Sequence, residues 1–445
     1  MDAGGQRFRI GPWLSLPLGL LWVANSAAAP TAAPVPEMRL EKVVMLQRHG
    51  LRSPTQTPEQ LAPSATRPWP DWGIGPGELT VHGAQRIGYL GGYFRTHYAA
   101  LGVLPTEGCP ASGTFAVWSD NSTRRVPLSG QVLVEALFPG CDLRTGFQPQ
   151  TEPDALFHPV ELGVCSLHPA RAEAAVLERV DDDLDHPMRA NREALQYLQS
   201  LLKQRYRRVC ARSAGSCGID GFANVIQATP DSFVLAGGLQ AATTAGENIL
   251  LAYLQGLPLE QVGWGDVTTE EQLHLLLAPR NHYLDLTRRT PYLAARHGTP
   301  LAQLLLAALE DDPAASPGAA GAALGGATHF AAIVGRDIHL AVIGGLLGLD
   351  WLLEGQPDLH GSGVTLALER WRDPDSGAAY IKPVVYYQTL AQMREAQPLD
   401  PGNPPGRVAL QFSGCTNHQR DGACALAHLK PRIVMAMAED CRTAP

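Results

Sequence analysis

Three short apolar runs, each ending in charged residues, constrain this chain most. Lys42-Val-Val-Met-Leu46 leads to Arg48-His49, and Thr114-Phe-Ala-Val-Trp118 leads to Asn121-Ser122-Thr123-Arg124-Arg125. The third, Phe330-Ala-Ala-Ile-Val334, leads through Gly335 to Arg336-Asp337. Short β-rich runs with polar residues just past their C-terminal ends are the pattern of a parallel α/β sheet at its ligand edge. Ligands in such sheets bind in the crevice outside the carboxyl ends of the strands. Three separate arrivals of Arg, His and Asp there imply one convergent site for an anionic ligand.

The first arrival is the densest: Arg48-His49-Gly50-Leu51-Arg52-Ser53-Pro54. Two guanidiniums beside one imidazole suit a doubly negative group, because arginine offers planar, bidentate donors that match phosphate oxygens. An imidazole between them can attack phosphorus and carry it covalently. The competing reading is a basic surface loop with a chance histidine. Five specified positions in seven argue against that reading.

Helices fill the intervals. Thr80 can cap a helix whose Ala84, Ile87, Gly91, Phe94 and Tyr98 recur at three-four spacing. From about Glu161 to Leu309 the pattern is mostly helical, with Glu173–Arg208 and Ser232–Leu257 as long elements and no strong strand signal. Asp181-Asp182-Asp183-Leu184-Asp185 lacks the Gly and closing Glu of a calcium loop and reads as a solvated acidic turn. Pro313 to Ala327 reads as an Ala/Gly/Pro-rich linker, Leu340 to Leu349 as an apolar helix that Gly348 helps end. Val364–Trp371, Tyr380–Gln388 and Val408–Phe412 read as strands. The expected fold is α/β: a three-layer core with a mostly parallel central sheet, plus a helical cap domain. Residues 38–160 and 328–445 form the core and 161–327 the cap with its return linker.

Composition limits the function classes. An apolar fraction of 45% with 18% charged residues fits a globular chain, and a net charge of −8 leaves no basic footprint for nucleic acid. Residues 1–29 read as a secretory signal: Arg7 and Arg9, a mostly apolar Trp13 to Ala24, then Ala27-Ala28-Ala29. A retained anchor is the alternative, although the run is short for a membrane span and Pro17 interrupts it. Eight cysteines (109, 141, 165, 210, 217, 415, 424, 441) support disulfides in an oxidising compartment. No CxxC, HxH or HExxH pattern occurs, so neither metal nor cofactor is expected. His82, His97, His158, His282 and His329 read as surface or packing histidines.

The opening motif resembles the RHGxRxP signature of the histidine acid phosphatases, the secreted branch of the histidine phosphatase superfamily (branch 2). The resemblance extends over nearly all of the chain from about Leu40. Gly344-Gly345, Leu349-Asp350-Trp351, Gly355-Gln356-Pro357, Glu369-Arg370-Trp371, Pro404-Pro405-Gly406, Gly263-Trp264-Gly265 and Arg289-Thr290-Pro291 look like the bacterial phytase and glucose-1-phosphatase group. It implies four disulfides, Cys109–Cys141, Cys165–Cys441, Cys210–Cys217 and Cys415–Cys424. It also implies His49 as nucleophile, with Arg48, Arg52 and Arg125 binding the phosphoryl oxygens; Arg124 is the neighbour that Arg125 could be confused with. Asp337 is implied as the acid, and Thr55 is a candidate substrate contact. The family's distal His-Asp, followed by Thr/Ser-Asn, reads Arg336-Asp337-Ile338-His339 here. Arg336 then supplies a permanent cation at a phosphate-contacting position.

The implied function is an exported, metal-independent acid phosphatase that hydrolyses phosphate monoesters through phosphohistidine. The partner is a small phosphorylated substrate, sugar phosphate or phytate, and the location is periplasmic or secreted. A catalytically impaired homologue that binds a phospholigand is the alternative, and a mutase-like transferase is disfavoured by the signal and the cysteines. Some bacterial phytases carry a lysine where Gln56 stands, and only Arg67 is basic from Gln56 to Glu78, which shifts weight from phytate toward sugar phosphates.

Overall fold

The computed structural model describes residues 37–149, 151–203, 206–207, 216–312 and 318–442. The leader read over 1–29, the stretch to Pro36, Cys210 and the first residues of the return linker lie outside them.

The three apolar runs are strands β1 (Arg39–Arg48), β2 (Phe115–Ser119) and β3 (Phe330–Gly335). β3 lies between the other two and pairs with both in parallel, so the three carboxyl ends share one edge. The helices that position this edge are α1 (Val81–Ala100), α2 (Arg125–Leu137), α3 (Gly238–Leu254), α4 (Glu270–Arg288), α5 (Pro291–Glu310) and α6 (Asp337–Leu347). Successive side chains of a strand point to opposite faces, and β1 uses both. Val43 and Met45 join Phe330, Ala332 and Val334 against Ile87, Leu90 and Phe94 of α1 and Leu133 of α2. Val44 and Leu46 join Ala331 and Ile333 against Leu301 and Leu305 of α5 and Leu340 and Ile343 of α6. Each fully buried aliphatic side chain stabilises by about 1.5–3 kcal/mol, so a polar substitution at Val43, Val44, Met45 or Leu46 would be costly.

The sheet is mixed, which corrects the mostly parallel expectation. Its eight strands include only β1, β3 and β2 in parallel; β4 (Thr365–Arg372), β5 (Ala379–Tyr387) and the short strands beyond them run antiparallel. The reason lies in the return path. α6 carries the chain away from the carboxyl edge, and the segment 348–364 climbs back to it. There the carbonyl of Val364 accepts from the amide of Arg48 (3.0 Å) and the amide of Gly363 donates to the carbonyl of His49 (3.3 Å). A strand that starts at this edge must run downward, so β4 is antiparallel to β1, and a tight Asp373–Ala378 connection makes β5 its hairpin partner.

Local signals hold at the helix ends. Thr80 caps α1, its hydroxyl accepting from the amide of Gly83 (2.8 Å). Gly348, at φ +62°, closes α6. The middle of the chain differs from the reading of long helices. Glu173–Arg208 is broken into Pro169–Arg179, His186–Ala190 and Arg192–Leu202, with Asp181 and Asp182 at positive φ in the acidic turn. Ahead of α3 stands a hairpin, Val225–Thr229 with Ser232–Ala236, turned by Pro230-Asp231. Part of the return linker, Ala319–Leu324, is helical. Leu195, Leu198, Leu239, Ile249, Leu273 and Leu276 form a core of their own among these helices. Among the described residues, Cys109–Cys141, Cys165–Cys441 and Cys415–Cys424 are bonded, and no helix is long and apolar enough to cross a membrane.

Candidate active site

The first motif leaves β1 at the shared edge, with the amide of His49 still bonded to the carbonyl of Gly335 (3.0 Å). The loop then presses on the first turn of α1. A Cβ at Gly50 would come within 2.8 Å of the carbonyl oxygen of Gly83, and one at Gly83 within 2.1 Å of that of Leu51. Only glycine at both positions permits this approach, which fixes the loop that carries His49. The His49 ring is buried; Nδ1 lies 2.8 Å from the carbonyl of Gly50, and Nε2 accepts from Nε of Arg125 (3.0 Å). These partners assign a neutral ring protonated on Nδ1, with the Nε2 lone pair facing the cationic side of the site. Burial, then Arg48, Arg125 and Arg52, push its pKa well below the usual imidazole value. The neutral form of the His49 ring is therefore favoured.

One half of the site is laced with carboxylates. Arg48 donates to Asp358 (3.0 Å), the carbonyl of His360 (2.7 Å) and Glu247 (2.8 Å), and Arg52 donates to the other oxygen of Glu247 (3.1 Å). Arg280 of α4 donates to Asp358 (3.1 Å) and to Asp337, the first residue of α6. Burial raises the Asp337 pKa, but Arg48 and Arg280 outweigh it and hold the carboxyl well below the ordinary range. Burial likewise opposes ionisation of Glu247, yet Arg280, Arg52 and Arg48 hold it down to about 2.

In the other half the cations face the cleft. Among the described residues, Arg125 has no carboxylate within 4 Å, and burial, then Arg52, Arg336 and Arg48, lower it to about 10. Arg125 is the first residue of α2, whereas Arg124 is exposed, which settles which neighbour faces His49. Gly77, at φ +70°, sits between Arg125 and Thr55: a Cβ there would lie 3.1 Å from Nη1 of Arg125 and 3.5 Å from Cγ2 of Thr55. Thr55 is thus exposed at the mouth beside Arg125. Arg336 caps α6 and packs against buried Asp120 and His158. His158 is therefore not a surface or packing histidine but part of this edge. The other four keep that reading; His82, for example, bonds the carbonyl of Met393 (2.7 Å).

The chain matches the family model "Histidine phosphatase superfamily (branch 2)" over residues 39–385. It belongs to branch 2 of that superfamily. A histidine phosphatase of this branch hydrolyses phosphate monoesters through a phosphohistidine, and this chain is such an enzyme. It is 34% identical to phytase AppA of Escherichia coli over 421 residues, 94% of this chain and 95% of that one. It is 28% identical to a glucose-1-phosphatase of Salmonella typhimurium over 400 residues, 87% of this chain and 91% of that one. Among solved structures, the apo Hafnia alvei phytase superposes with a TM-score of 0.85 at 32% identity, covering 93% of this chain and all of that one. The α/β fold with a helical cap is common to this histidine phosphatase and those phytases.

Six of the residues named from the sequence, Arg48, His49, Arg52, Arg125, Arg336 and Asp337, share one cleft edge, and Thr55 is exposed beside Arg125. Glu247, Arg280, Asp358, Asp120 and His158 complete it and were not read as site residues. Glu247 had a visible signal, being the one charged side chain in α3. Asp120, the first residue past β2, stood at the same strand end; Arg280, Asp358 and His158 are brought in by tertiary packing alone. Among the described residues, no group of three or more His, Cys, Asp or Glu is placed to hold a metal ion.

Proposed function

We propose that His49 Nε2 attacks the phosphorus of a small phosphate monoester outside the cytoplasm, and that Asp337 protonates the departing alcohol and then helps activate water. Arg48, Arg52, Arg125 and Arg336 hold the phosphoryl oxygens and balance the charge that spreads over them in the transition state. The single observation that carries this reading is the His49 ring itself. Its Nδ1 is engaged by the Gly50 carbonyl, and its Nε2 lone pair is aimed at Arg125, the arginine without a carboxylate partner. A phosphoryl group bound there receives the lone pair without any prior deprotonation.

For the substrate we propose a sugar phosphate or another monoester with a weakly charged leaving group. Beside the motif loop lies a cavity of about 210 Å³ lined by Pro54, Gln56, Thr57, Trp72, Ile74 and Pro76, with Glu59 and Asp71 as its charged members. Arg67, the one basic residue of that stretch, is paired with Asp266 (2.8 Å). Such a wall suits a hydroxylated or apolar group better than a ring of phosphates. Relatives named phytase and glucose-1-phosphatase bracket this choice. Release of inorganic phosphate from p-nitrophenyl phosphate in mildly acidic buffer with chelator tests the activity. Comparing kcat/KM for glucose-1-phosphate and phytate tests the substrate; a clear preference for phytate would refute it. The pairing of Asp337 with Arg280 favours one second reading, a phospholigand-binding homologue with slow turnover.

A further inference from the structure

We propose that Asp120 and His158 form a mount that fixes the guanidinium of Arg336, so that Asp120 and Arg336 act as one unit in phosphate binding. The proposal rests on the reading of Arg336 as a phosphate ligand and extends it to two residues that do not themselves touch substrate.

Asp120 follows directly on β2, is fully buried, and continues the sheet ladder by donating its amide to the carbonyl of Val334 (2.9 Å). One carboxylate oxygen accepts from the Ser122 amide (2.8 Å) and from Nε2 of His158 (3.1 Å). The other accepts from the Ser122 hydroxyl (2.9 Å) and faces Nε of Arg336 at 3.5 Å. Since His158 gives its Nε2 proton to Asp120, its Nδ1 is the acceptor that meets Nη2 of Arg336 at 3.4 Å. The guanidinium is thus held by an ion pair to Asp120, without a hydrogen bond at Nε, and by the long contact of Nη2 with His158, and no hydrogen bond or ion pair engages Nη1 among the described residues. His339 ties the assembly together: its Nδ1 accepts the Arg336 amide (3.0 Å) and its Nε2 meets the carbonyl of Phe157 (3.1 Å), next to His158.

A buried carboxylate needs a counter-charge, because removing one partner leaves the other ionised in a medium that solvates it poorly. Burial opposes ionisation of Asp120, but His158, His339 and Arg336 together keep it charged through the acid range. In return Asp120 restrains a side chain that otherwise has several freely rotating bonds, and ordering it beforehand lowers the cost of binding an anion. An imidazole at position 336 is shorter and cannot span Asp120, His158 and the cleft together. Arginine here is coupled to its surroundings and is not an interchangeable cation.

A double-mutant cycle on the full-length protein tests this, with Asp120→Asn, Arg336→His and the pair, reading phosphate Ki together with KM and kcat for p-nitrophenyl phosphate. We expect Asp120→Asn to raise Ki about tenfold and to move kcat less, and Arg336→His to do at least as much. The double variant should match Arg336→His alone, since the mount has nothing left to hold. Ser122→Ala, which removes one bond to Asp120 but leaves its contact with Arg336, should keep the native Ki. Multiplying effects in the double variant, or an unchanged Ki in Asp120→Asn beside a raised one in Arg336→His, would overturn the mount. An unchanged Ki in Arg336→His would instead overturn the phosphate role of Arg336 itself. Should Asp120→Asn fail to fold, His158→Phe keeps the ring packing and removes both bonds; it must raise Ki for the proposal to stand.

Discussion

The two halves of the cleft carry similar arginines in opposite electrostatic circumstances. Around Arg48, Arg52 and Arg280 the protein supplies Glu247, Asp337 and Asp358, so three cations meet three anions before any ligand arrives. Among the described residues, Asp120 is the one carboxylate in ion-pair contact with Arg125 or Arg336, and it pairs with Arg336. Counting arginines in the motif therefore overstates the charge available to phosphate. On the proposed binding roles, the neutralised half would chiefly orient the phosphoryl group, as a frame, and the unneutralised half would supply most of the attraction.

The largest effect separates the frame from the chemistry altogether. His49→Ala should lower kcat at least about a thousandfold while thermal melting stays near the native value, because the nucleophile is lost and no ion pair is broken. Acid-quenched wild-type enzyme should carry phosphate that the variant lacks; steady turnover in the alanine variant would end the phosphohistidine account. Next, Arg125→Ala should cost about a hundredfold in kcat/KM and Arg52→Ala about tenfold, since Glu247 already offsets Arg52. Equal losses would break the distinction between the halves.

A smaller and more diagnostic effect concerns pH. Arg280 favours the ionised form of Asp337, so replacing it with glutamine removes a cation and lets the carboxyl pKa rise. The protonated acid then persists to higher pH, and the falling limb of kcat should move upward by about one unit. A limb that stays in place would mean that Asp337 is not the proton donor. Smallest is the acid stability of the frame. Glu247 is held at about 2, below its unfolded value, so its stabilising contribution is present above the unfolded pKa and is lost as pH falls through about 2. Across that window Glu247→Gln should lose less of its Tm than the wild type, by about a few degrees.

Much of this was legible along the chain because strand ends and motif residues are local. Three apolar runs ending in Arg-His, Arg-Arg and Arg-Asp placed one edge and six of its side chains. Sheet polarity was harder, because it depends on whether the segment 348–364 crosses back to the starting edge, and no residue in it announces that. The short Asp373–Ala378 connection between two strands was nevertheless a hairpin signal. The hairpin at 225–236 was obscured by the helical residues after it. Arg280 and Asp358 were invisible for another reason: each is a single charged residue whose partner lies far off in sequence, and pairing across such distances is decided by packing. His158 shares that property.

The bond from His49 Nδ1 to the Gly50 carbonyl has a consequence for the lifetime of the intermediate. With Nδ1 keeping its proton, the proposed phosphorylation of His49 on Nε2 would give an imidazolium. Three neighbouring arginines, Arg48, Arg125 and Arg52, oppose that charge, while one backbone carbonyl favours it. The phosphoryl group thus sits on a strongly activated donor, whose departure restores a neutral ring. On the proposed role of His49, this arrangement would make the covalent adduct transient, with water needing only to reach the phosphorus for turnover to finish.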